Sequence, residues 1–315
     1  MIREASPEDY GAAFAVVRAA EPDFVTTEAG FRHRQESLPP EARLAAWVAV
    51  EDGAVVGWAR AMFRVEESGG SANVSLAVLP ERRRRGIGTA LLTRALDHVS
   101  EAPRAFAFSG ADGRRFAERN GFRLTSTSRL SAVDPRAVDT SELDRTEVEL
   151  RRLDELGPAH VFSVDSIAAL DVPSEEHRDQ VELEPWIRRY WESPDFDWAS
   201  GYAAWLDDRA VAISYPAVDR EGARAANAFT GTLPDYRGRG LGRLVKLAVV
   251  RRLAELGITR LLTVNHDENA AMLAINQQLG FAPAGALYNY VRESGNGFRA
   301  SAGSTCAVIQ SGVVT

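Results

Sequence analysis

A twelve-residue pattern occurs twice in this chain, and the two copies lie 154 residues apart. Residues 78–89 are VLPERRRRGIGT and residues 232–243 are TLPDYRGRGLGR, so Gly86 and Gly240 are equivalent. This period is longer than the roughly 20–50 residues of solenoid repeats. The chain has 315 residues, which suffices for two domains of about 150 residues each. The sequence therefore predicts a duplicated domain.

Each copy of the pattern lies between a β-rich stretch and a long amphipathic helix. The helices are predicted over residues 86–100 and 240–256, where apolar residues recur on one side. Hairpin signals precede both copies, and a strand, a short helix and a further strand follow them. This order predicts an α+β fold of two tandem domains, each a mixed, mostly antiparallel, twisted sheet flanked by helices.

The domain boundaries follow from where this order of elements begins and ends. The first domain is predicted over residues 1–134 and the second over residues 147–295. Residues 135–146 contain Pro135 and several charges, which is typical of an interdomain linker. Residues 296–315 are rich in small side chains and are predicted to form a tail.

Composition limits the expected partners and compartment. The net charge of −7 argues against nucleic acid, which normally binds a basic face. No apolar run approaches the roughly 20 residues that span a membrane, and no signal peptide is recognised. The one cysteine, Cys306, excludes an internal disulfide and lies among small residues, where a catalytic role is not expected. A cytoplasmic protein without membrane or nucleic-acid partners is therefore expected.

The repeated loops have the chemistry of a phosphate site. A helix N-terminus offers unpaired N–H groups and the positive end of the helix dipole, and glycines let an anion approach the backbone. Arginines beside the loop add charge-assisted contacts. The pattern lacks the three spaced glycines of a dinucleotide site and the Lys-Ser/Thr end of a P-loop. The combination suits a pyrophosphate.

The spacing Arg-x-x-Gly-x-Gly resembles the acyl-CoA motif of the GNAT superfamily of acetyl-CoA-dependent N-acetyltransferases. A second motif of that superfamily is a short helix ending in Gly-Phe, which follows the loop glycine after 35 residues in the first half and 40 in the second. The resemblance covers nearly the whole chain as two copies. The matching residues are Arg83, Gly86, Gly88, Gly121 and Phe122, and Arg237, Gly240, Gly242, Gly280 and Phe281.

This resemblance implies that acetyl-CoA is the co-substrate and that no metal is required. It implies that loop amides hold the pyrophosphate and that the preceding strand diverges from its neighbour. A backbone N–H would bind the thioester carbonyl while an amine attacks directly, without a covalent enzyme intermediate. The implied coenzyme residues are Val78, Arg83, Arg84, Arg85, Gly86, Ile87, Gly88 and Thr89 in the first half, and Thr232, Arg237, Gly238, Arg239, Gly240, Leu241, Gly242, Asn265 and Asn269 in the second.

The second half keeps more of the superfamily pattern than the first. Asn265 ends a strand and Asn269 opens the next helix. Asn269 is expected either to contact pantetheine or to cap the helix. Many members have a tyrosine four residues before the Gly-Phe glycine, where its hydroxyl can act as a general acid. This chain has Asn276 at that position in the second half and Ala117 in the first. Catalysis is therefore expected in the second half. The first half is expected to be degenerate, with a loop that either binds acetyl-CoA without turnover or is only a solvated basic loop.

The tandem arrangement is similar to that of the mycothiol synthases and related two-domain acetyltransferases, in which the C-terminal copy is active. The likeness is to the motifs and not to the intervening sequence, so a mycothiol synthase itself is not expected. The predicted activity is acetyl transfer to a small-molecule amine, which an acidic protein would attract. The alternative functions are a non-catalytic acyl-CoA sensor and a protein-lysine acetyltransferase. The protein is expected to be a monomer or a homodimer.

The candidate catalytic residues are Glu184 and Asn276. Asp171 and His177 are further candidates for the general base, although each of these charged groups is also consistent with an exposed or capping role. The aromatic residues between positions 186 and 205 are predicted mainly as core, with a minority available to shape an acceptor pocket.

Overall fold

The computed structural model describes residues 1–65, 69–171 and 181–294. The strands are β1 (Ile2–Glu4), β2 (Ala45–Glu51), β3 (Ala54–Phe63), β4 (Ala72–Val78), β5 (Arg104–Ser109), β6 (Arg123–Val133), β7 (Glu149–Arg152), β8 (Tyr202–Leu206), β9 (Arg209–Asp219), β10 (Arg224–Thr232), β11 (Arg260–His266) and β12 (Ala282–Glu293). The α-helices are α1 (Tyr10–Ala20), α2 (Glu28–Glu36), α3 (Ile87–His98), α4 (Arg114–Arg119), α5 (Leu153–Leu156), α6 (Pro158–Ala168), α7 (Leu183–Trp186), α8 (Leu241–Glu255) and α9 (Ala270–Gln278). A π-helical turn, Ile187–Trp191, follows α7. None of the helices in the described ranges is long and apolar enough to cross a membrane.

Two predicted hairpins form as tight turns. Asp52 and Gly53, which join β2 to β3, have φ angles of 51° and 79°. Asp207 and Asp208, which join β8 to β9, have φ angles of 52° and 59°. Two consecutive positive φ angles are typical of the type I′ turn, whose twist matches that of the flanking strands. Together with the flanking helices, these hairpins confirm the predicted α+β class.

Helices cover both faces of the sheet. In the first half, Val48 and Trp58 pack with α1 and α2, whereas Trp47 and Ala49 pack with α3. Because neighbouring residues of a strand point to opposite faces, α1 and α2 lie on one face and α3 on the other. In the second half, α6 and α8 pack on β9 and β10 in the equivalent way.

The two halves share one sheet because their last strands are exchanged. The strand order is β1-β2-β3-β4-β5-β12-β6-β11-β10-β9-β8-β7. β12 pairs with β5 of the first half, and β6 pairs with β11 of the second half, all antiparallel. β6 and β12 also pair with each other. The sequence predicted a separate sheet for each domain. Strand periodicity identifies β6 and β12 but does not specify their partners, so it did not predict this exchange.

The segment predicted as a linker, residues 135–146, packs along α8. Arg251 donates from Nε to Thr140 Oγ1 (3.1 Å) and pairs with Asp144 (2.8 Å). Arg243, near the start of the same helix, forms an ion pair with Glu142. The connection between the halves is therefore fixed in position over much of its length.

A buried carboxylate of the second half binds the N-cap residue of a helix of the first. The Asp195 side chain accepts from Thr27 N (2.8 Å), Thr27 Oγ1 (2.9 Å), Thr26 Oγ1 (2.8 Å) and Arg34 Nη1 (2.8 Å). Thr27 is the N-cap of α2, where a negative charge is favourable. A Cβ atom on Gly30 would lie 2.0 Å from this carboxylate, so glycine gives Asp195 room to approach.

Replacing Asp195 with alanine is expected to destabilise the whole chain. The change leaves the Arg34 side chain, only 19% exposed, without its counter-charge, and it removes the acceptor that holds the N-cap residue Thr27. Breaking a buried pair of this kind costs about 3 kcal/mol. The free energy of unfolding from urea titrations would measure this loss. Glu101→Ala breaks the exposed Arg43–Glu101 pair and should change little. Equal effects of the two substitutions would contradict the role given to Asp195.

Candidate active site

The two repeated loops adopt the same backbone shape. Gly238 and Gly240 have φ angles of 74° and 75°, and their equivalents Arg84 and Gly86 have φ angles of 65° and 84°. The left-handed conformation costs a non-glycine residue roughly 1–2 kcal/mol, so Arg84 is held there by the surrounding loop. α8 begins directly after Gly240 and α3 directly after Gly86. Each loop therefore presents unpaired N–H groups to a concave surface in its own half.

The first arginine of each motif braces its loop against the preceding strand. Arg237 Nε donates to the carbonyl of Thr232 (3.1 Å), and Arg83 Nε donates to that of Val78 (3.2 Å). Arg237 also pairs with Asp171, a candidate base, which is thereby engaged at the loop. These arginines hold the end of β4 or β10 next to the first turn of the helix.

The remaining loop residues lie around the same surface. Arg239 lies over the Tyr236 ring, 5.0 Å from its centroid, and Arg85 lies 3.8 Å from the Glu51 carboxylate. Leu241 is buried, Ile87 is partly buried and Thr89 is exposed.

The second glycine of each motif meets a different neighbour in the two halves. A Cβ on Gly242 would lie 3.1 Å from Thr232 Oγ1, and a Cβ on Gly88 would lie 3.4 Å from the Phe116 ring. The position equivalent to Phe116 in the second half is Ile275, which lies farther from its glycine (4.0 Å). An aromatic ring therefore borders the loop of the first half, whereas a more distant aliphatic side chain takes its place in the second half.

In each half the strand that leads into the loop diverges from its parallel neighbour. β10 pairs with β11 only over Arg224–Ala226, and β4 pairs with β5 only at Ala72 and Asn73. Beyond these residues the sheet opens toward the loop. This confirms the divergence that the resemblance implied.

Only the second half combines this opening with a bulge. The pairing of β10 with β9 shifts register between Asn227 and Phe229, whereas β4 pairs with β3 in unbroken register from Ala72 to Val78. A bulge leaves backbone groups of one strand without ladder partners. The bulge places Ala228 at the edge of the opening, where its backbone is a candidate to bind a ligand carbonyl.

A buried hydrogen-bonded chain lies beside the opening of the second half. Lys246 Nζ donates to Asn276 Oδ1 (2.6 Å), and Asn276 Nδ2 donates to Asn265 Oδ1 (2.6 Å). Asn265 Oδ1 also accepts from Thr263 Oγ1 (3.3 Å). Lys246 is fully buried, with the Phe281 ring 4.9 Å from Nζ. Protein donors thus occupy the side-chain oxygens of both Asn265 and Asn276. The Asn265 amide nitrogen is therefore oriented away from these hydrogen-bonded side chains.

Lys246 is the only lysine of the sequence, beside 36 arginines. Burial lowers its pKa to about 7. We did not single it out from the sequence, but its uniqueness and its place amid apolar residues of α8 were usable signals.

Asn269 caps α9, because its side chain accepts from Met272 N at 3.1 Å. This is the capping role that the sequence left open, and a contact with pantetheine stays a prediction. Of the candidate catalytic residues, Asn276 is buried in the chain just described, whereas Glu184 is exposed at the start of α7. His177 lies outside the described residues.

On the opposite face of the sheet, α6 contributes a buried carboxylate that the sequence reasoning missed. Asp165 accepts from Trp186 Nε1 (3.0 Å) and from Tyr215 Oη (2.9 Å). The Tyr215 ring stacks on Phe229, next to the bulge, at a centroid distance of 5.8 Å. The signal was an aspartate within the buried stripe of α6 (Val161, Val164, Asp165 and Ala168).

The aromatic residues of this region pack mainly on one another, as predicted. Trp186 contacts Tyr190, Trp191 and Trp198, with ring centroids 5.9–6.4 Å apart. Their cluster extends to Tyr215 through Trp198, at 4.7 Å. No group of three or more histidine, cysteine or acidic side chains with the geometry of a metal site occurs among residues 1–65, 69–171 and 181–294.

Comparison with known proteins gives the same assignment for both halves. Residues 11–122 match the profile of the Acetyltransferase (GNAT) family, and residues 144–269 match that of an Acetyltransferase (GNAT) domain. A mycothiol acetyltransferase of Geodermatophilus obscurus is 30% identical over 248 residues, which cover 73% of this chain and 76% of that protein. The chain belongs to the GNAT family. It is an acetyl-CoA-dependent N-acetyltransferase with two tandem GNAT domains.

Other relatives extend this picture. A mycothiol acetyltransferase of Saccharomonospora viridis is 28% identical over 256 residues, which cover 76% of this chain and 80% of that protein. These alignments reach well beyond the repeated motifs, so the expectation of a likeness limited to the motifs is wrong. A tandem GNAT protein from the clavulanic acid biosynthesis pathway shares the fold with a TM-score of 0.72, at 20% identity, over 95% of this GNAT chain and 99% of its own.

The lowered pKa of Lys246 gives this GNAT protein a defined pH dependence of stability. The ordinary pKa of lysine is 10.5, so between pH 7 and 10 the unfolded chain binds more protons at this side chain than the folded chain. The free energy of unfolding therefore rises with pH across this window, by roughly 3 kcal/mol. The measurement is urea unfolding of wild type and Lys246→Met at both pH values, where wild type should gain relative to the variant.

A second readout reports on the lysine itself. Because the chain has one lysine, protein labelled with ¹³C at the lysine Cε atom should give a single resonance, which moves with a midpoint near pH 7. A midpoint above pH 10 would show that the buried amine is not destabilised in its charged form.

Proposed function

We propose that the second half binds acetyl-CoA in the opening between β10 and β11 and transfers its acetyl group to a small-molecule amine. The single observation that supports this choice is the bulge of β10 at Ala228, beside a diverging strand and a glycine loop. β4 has the loop and the divergence but keeps unbroken register. The first half therefore lacks the bulge that would re-orient backbone groups at the edge of its opening.

Binding would begin at the loop. The N–H groups of the first turn of α8 and of the Gly238–Gly240 loop would hold the pyrophosphate, with Arg239 and Arg243 at its rim. Arg237 would act indirectly, since it holds the loop against Thr232. The pantetheine arm would extend along the free edge of β10, where the Asn265 amide nitrogen is oriented by Asn276 to donate to a carbonyl of the arm.

The chemistry requires orientation and charge stabilisation. A backbone N–H at the bulge would donate to the thioester oxygen as the amine attacks and negative charge develops there. The new C–N bond forms as the C–S bond breaks, and the electron pair leaves with the coenzyme sulfur. A substrate that binds as an ammonium ion first loses one proton to solvent or to a nearby base, because only the neutral amine can attack. The second proton of the attacking nitrogen then passes to the departing thiolate or to solvent.

The acceptor would approach from the face of α6. Asp165 is the buried carboxylate on that face, next to Tyr215 and Phe229, and it favours a positively charged substrate. The name of the relatives directs the first acceptor tests to mycothiol-type substrates. The panel should also contain amino sugars, amino acid derivatives and antibiotics that carry a primary amine.

Matched aspartate substitutions in the two loops test which half works. Gly240→Asp and Gly86→Asp place a negative charge at equivalent positive-φ positions with open surroundings, where aspartate is tolerated. Gly240→Asp is expected to lower acetyl-CoA-dependent thiol release at least about 100-fold, a loss of about 3 kcal/mol. Gly86→Asp should retain most activity.

Calorimetric titration with acetyl-CoA separates binding from turnover in the same variants. Turnover that is lost in Gly86→Asp and kept in Gly240→Asp would place the chemistry in the first half. Wild type that binds acetyl-CoA but transfers to no amine of the panel would point to a sensor.

Asp165→Asn tests the acceptor face separately. Loss of one negative charge beside a cationic substrate should raise the KM for the amine about tenfold, while the KM for acetyl-CoA stays the same. Steady-state kinetics with each substrate varied in turn make this measurement. An equal rise in both KM values would indicate a disturbed fold instead of a lost contact.

A further inference from the structure

The first half has a cation where the second half has a tyrosine. The 154-residue offset of the loops relates Ser75 of β4 to Phe229 of β10. Their partners on the neighbouring strand are Arg60 and Tyr215. Arg60 therefore occupies, in the first half, the sheet position that Tyr215 occupies next to Asp165.

The carboxylate of that face is also missing from the first half. The buried positions of α1 are Ala13, Val16 and Val17, and those of α6 begin with Val161, Val164 and Asp165 in the same spacing. Val17 is thus the counterpart of Asp165. The equivalent faces of the two clefts have opposite polarity, because one contains a carboxylate and the other a guanidinium.

Arg60 makes its hydrogen bonds to uncharged groups. It donates from Nε to Ser75 Oγ (3.2 Å) and from Nη1 to Gln35 Oε1 (3.3 Å). Among the described residues no carboxylate accepts a hydrogen bond from it. Arg34 and Arg189 lie close enough to act on its charge, and Arg34 is paired with Asp195.

Burial, together with the nearby charges of Arg34 and Arg189, lowers the pKa of Arg60 to about 9. A guanidinium in such surroundings is destabilised unless an anion accompanies it. Part of the Arg60 residue nevertheless remains accessible to solvent.

We propose that the first-half cleft binds the carboxylate group of a small molecule at Arg60. The planar guanidinium fork matches the two oxygens of a carboxylate, and the Ser75 hydroxyl stands beside it as a further donor. The site lies in the half to which no acetyl transfer is assigned. It therefore depends on neither the coenzyme nor the acceptor of the second half.

Thermal unfolding of the full chain with simple anions tests the site. Sodium succinate, sodium acetate and inorganic phosphate are compared with sodium chloride at constant ionic strength. Succinate well above its Kd is expected to raise the wild-type Tm by about 3 °C. The increment should vanish in Arg60→Met and persist in Arg260→Met, which removes an exposed arginine at the Asp23 pair.

Gln35→Glu gives an independent variant that keeps side-chain size. It places a carboxylate where Gln35 Oε1 already accepts from Arg60, so it should abolish the succinate increment, whatever the basal Tm becomes after loss of the Gln35 Nε2 hydrogen bond to the Phe31 carbonyl. An increment that is absent in wild type, or unchanged in Arg60→Met or Gln35→Glu, overturns the proposal. A response to phosphate but not to succinate or acetate also overturns it, since the site would then take a tetrahedral anion. Amine acetylation by the second half, measured in parallel, should be the same in Arg60→Met and wild type.

Discussion

The antiparallel pairing of β6 with β12 joins the two halves, and both clefts depend on it. β12 lies against β5, which flanks the opening of the first half, whereas β6 lies against β11, which flanks that of the second. Each half thus receives from the other the strand that supports one side of its own opening. Neither half can complete its sheet alone, because its last backbone partners belong to the other half. Asp195 adds a buried polar contact across the same boundary.

Within this shared sheet, the repeated loops and the clefts have diverged to different degrees. The loop backbone is kept so closely that Arg84 adopts the positive φ of Gly238. The strands that lead into the loops differ by one local irregularity, the bulge at Ala228. A bulge changes which residues face each other across two strands. It therefore alters the pocket without altering the loop or the order of elements.

The sequence was sufficient to predict the features that depend on short stretches of the chain. The repeated glycines, the hairpin turns and the long helices after the loops depend on residues close in sequence, so pattern and spacing revealed them. The strand exchange did not follow, because the pairing of β6 and β12 is a contact between residues at least 150 positions apart. Asp165 and Lys246 were missed for a related reason. Each lies at a buried helix position, and its partners Tyr215 and Asn276 come from other elements.

The opposite charges of Asp165 and Arg60 would be sufficient to separate the ligands proposed for the two clefts. A unit charge about 4 Å from another is worth roughly 4 kcal/mol at an effective dielectric constant of 20. A protonated amine would gain such a term beside Asp165 and lose one beside Arg60, and a carboxylate would experience the reverse. Even after strong screening, the difference exceeds the 1.4 kcal/mol that changes an equilibrium constant tenfold. Two clefts with nearly the same loop can therefore take different ligands without any further difference in shape.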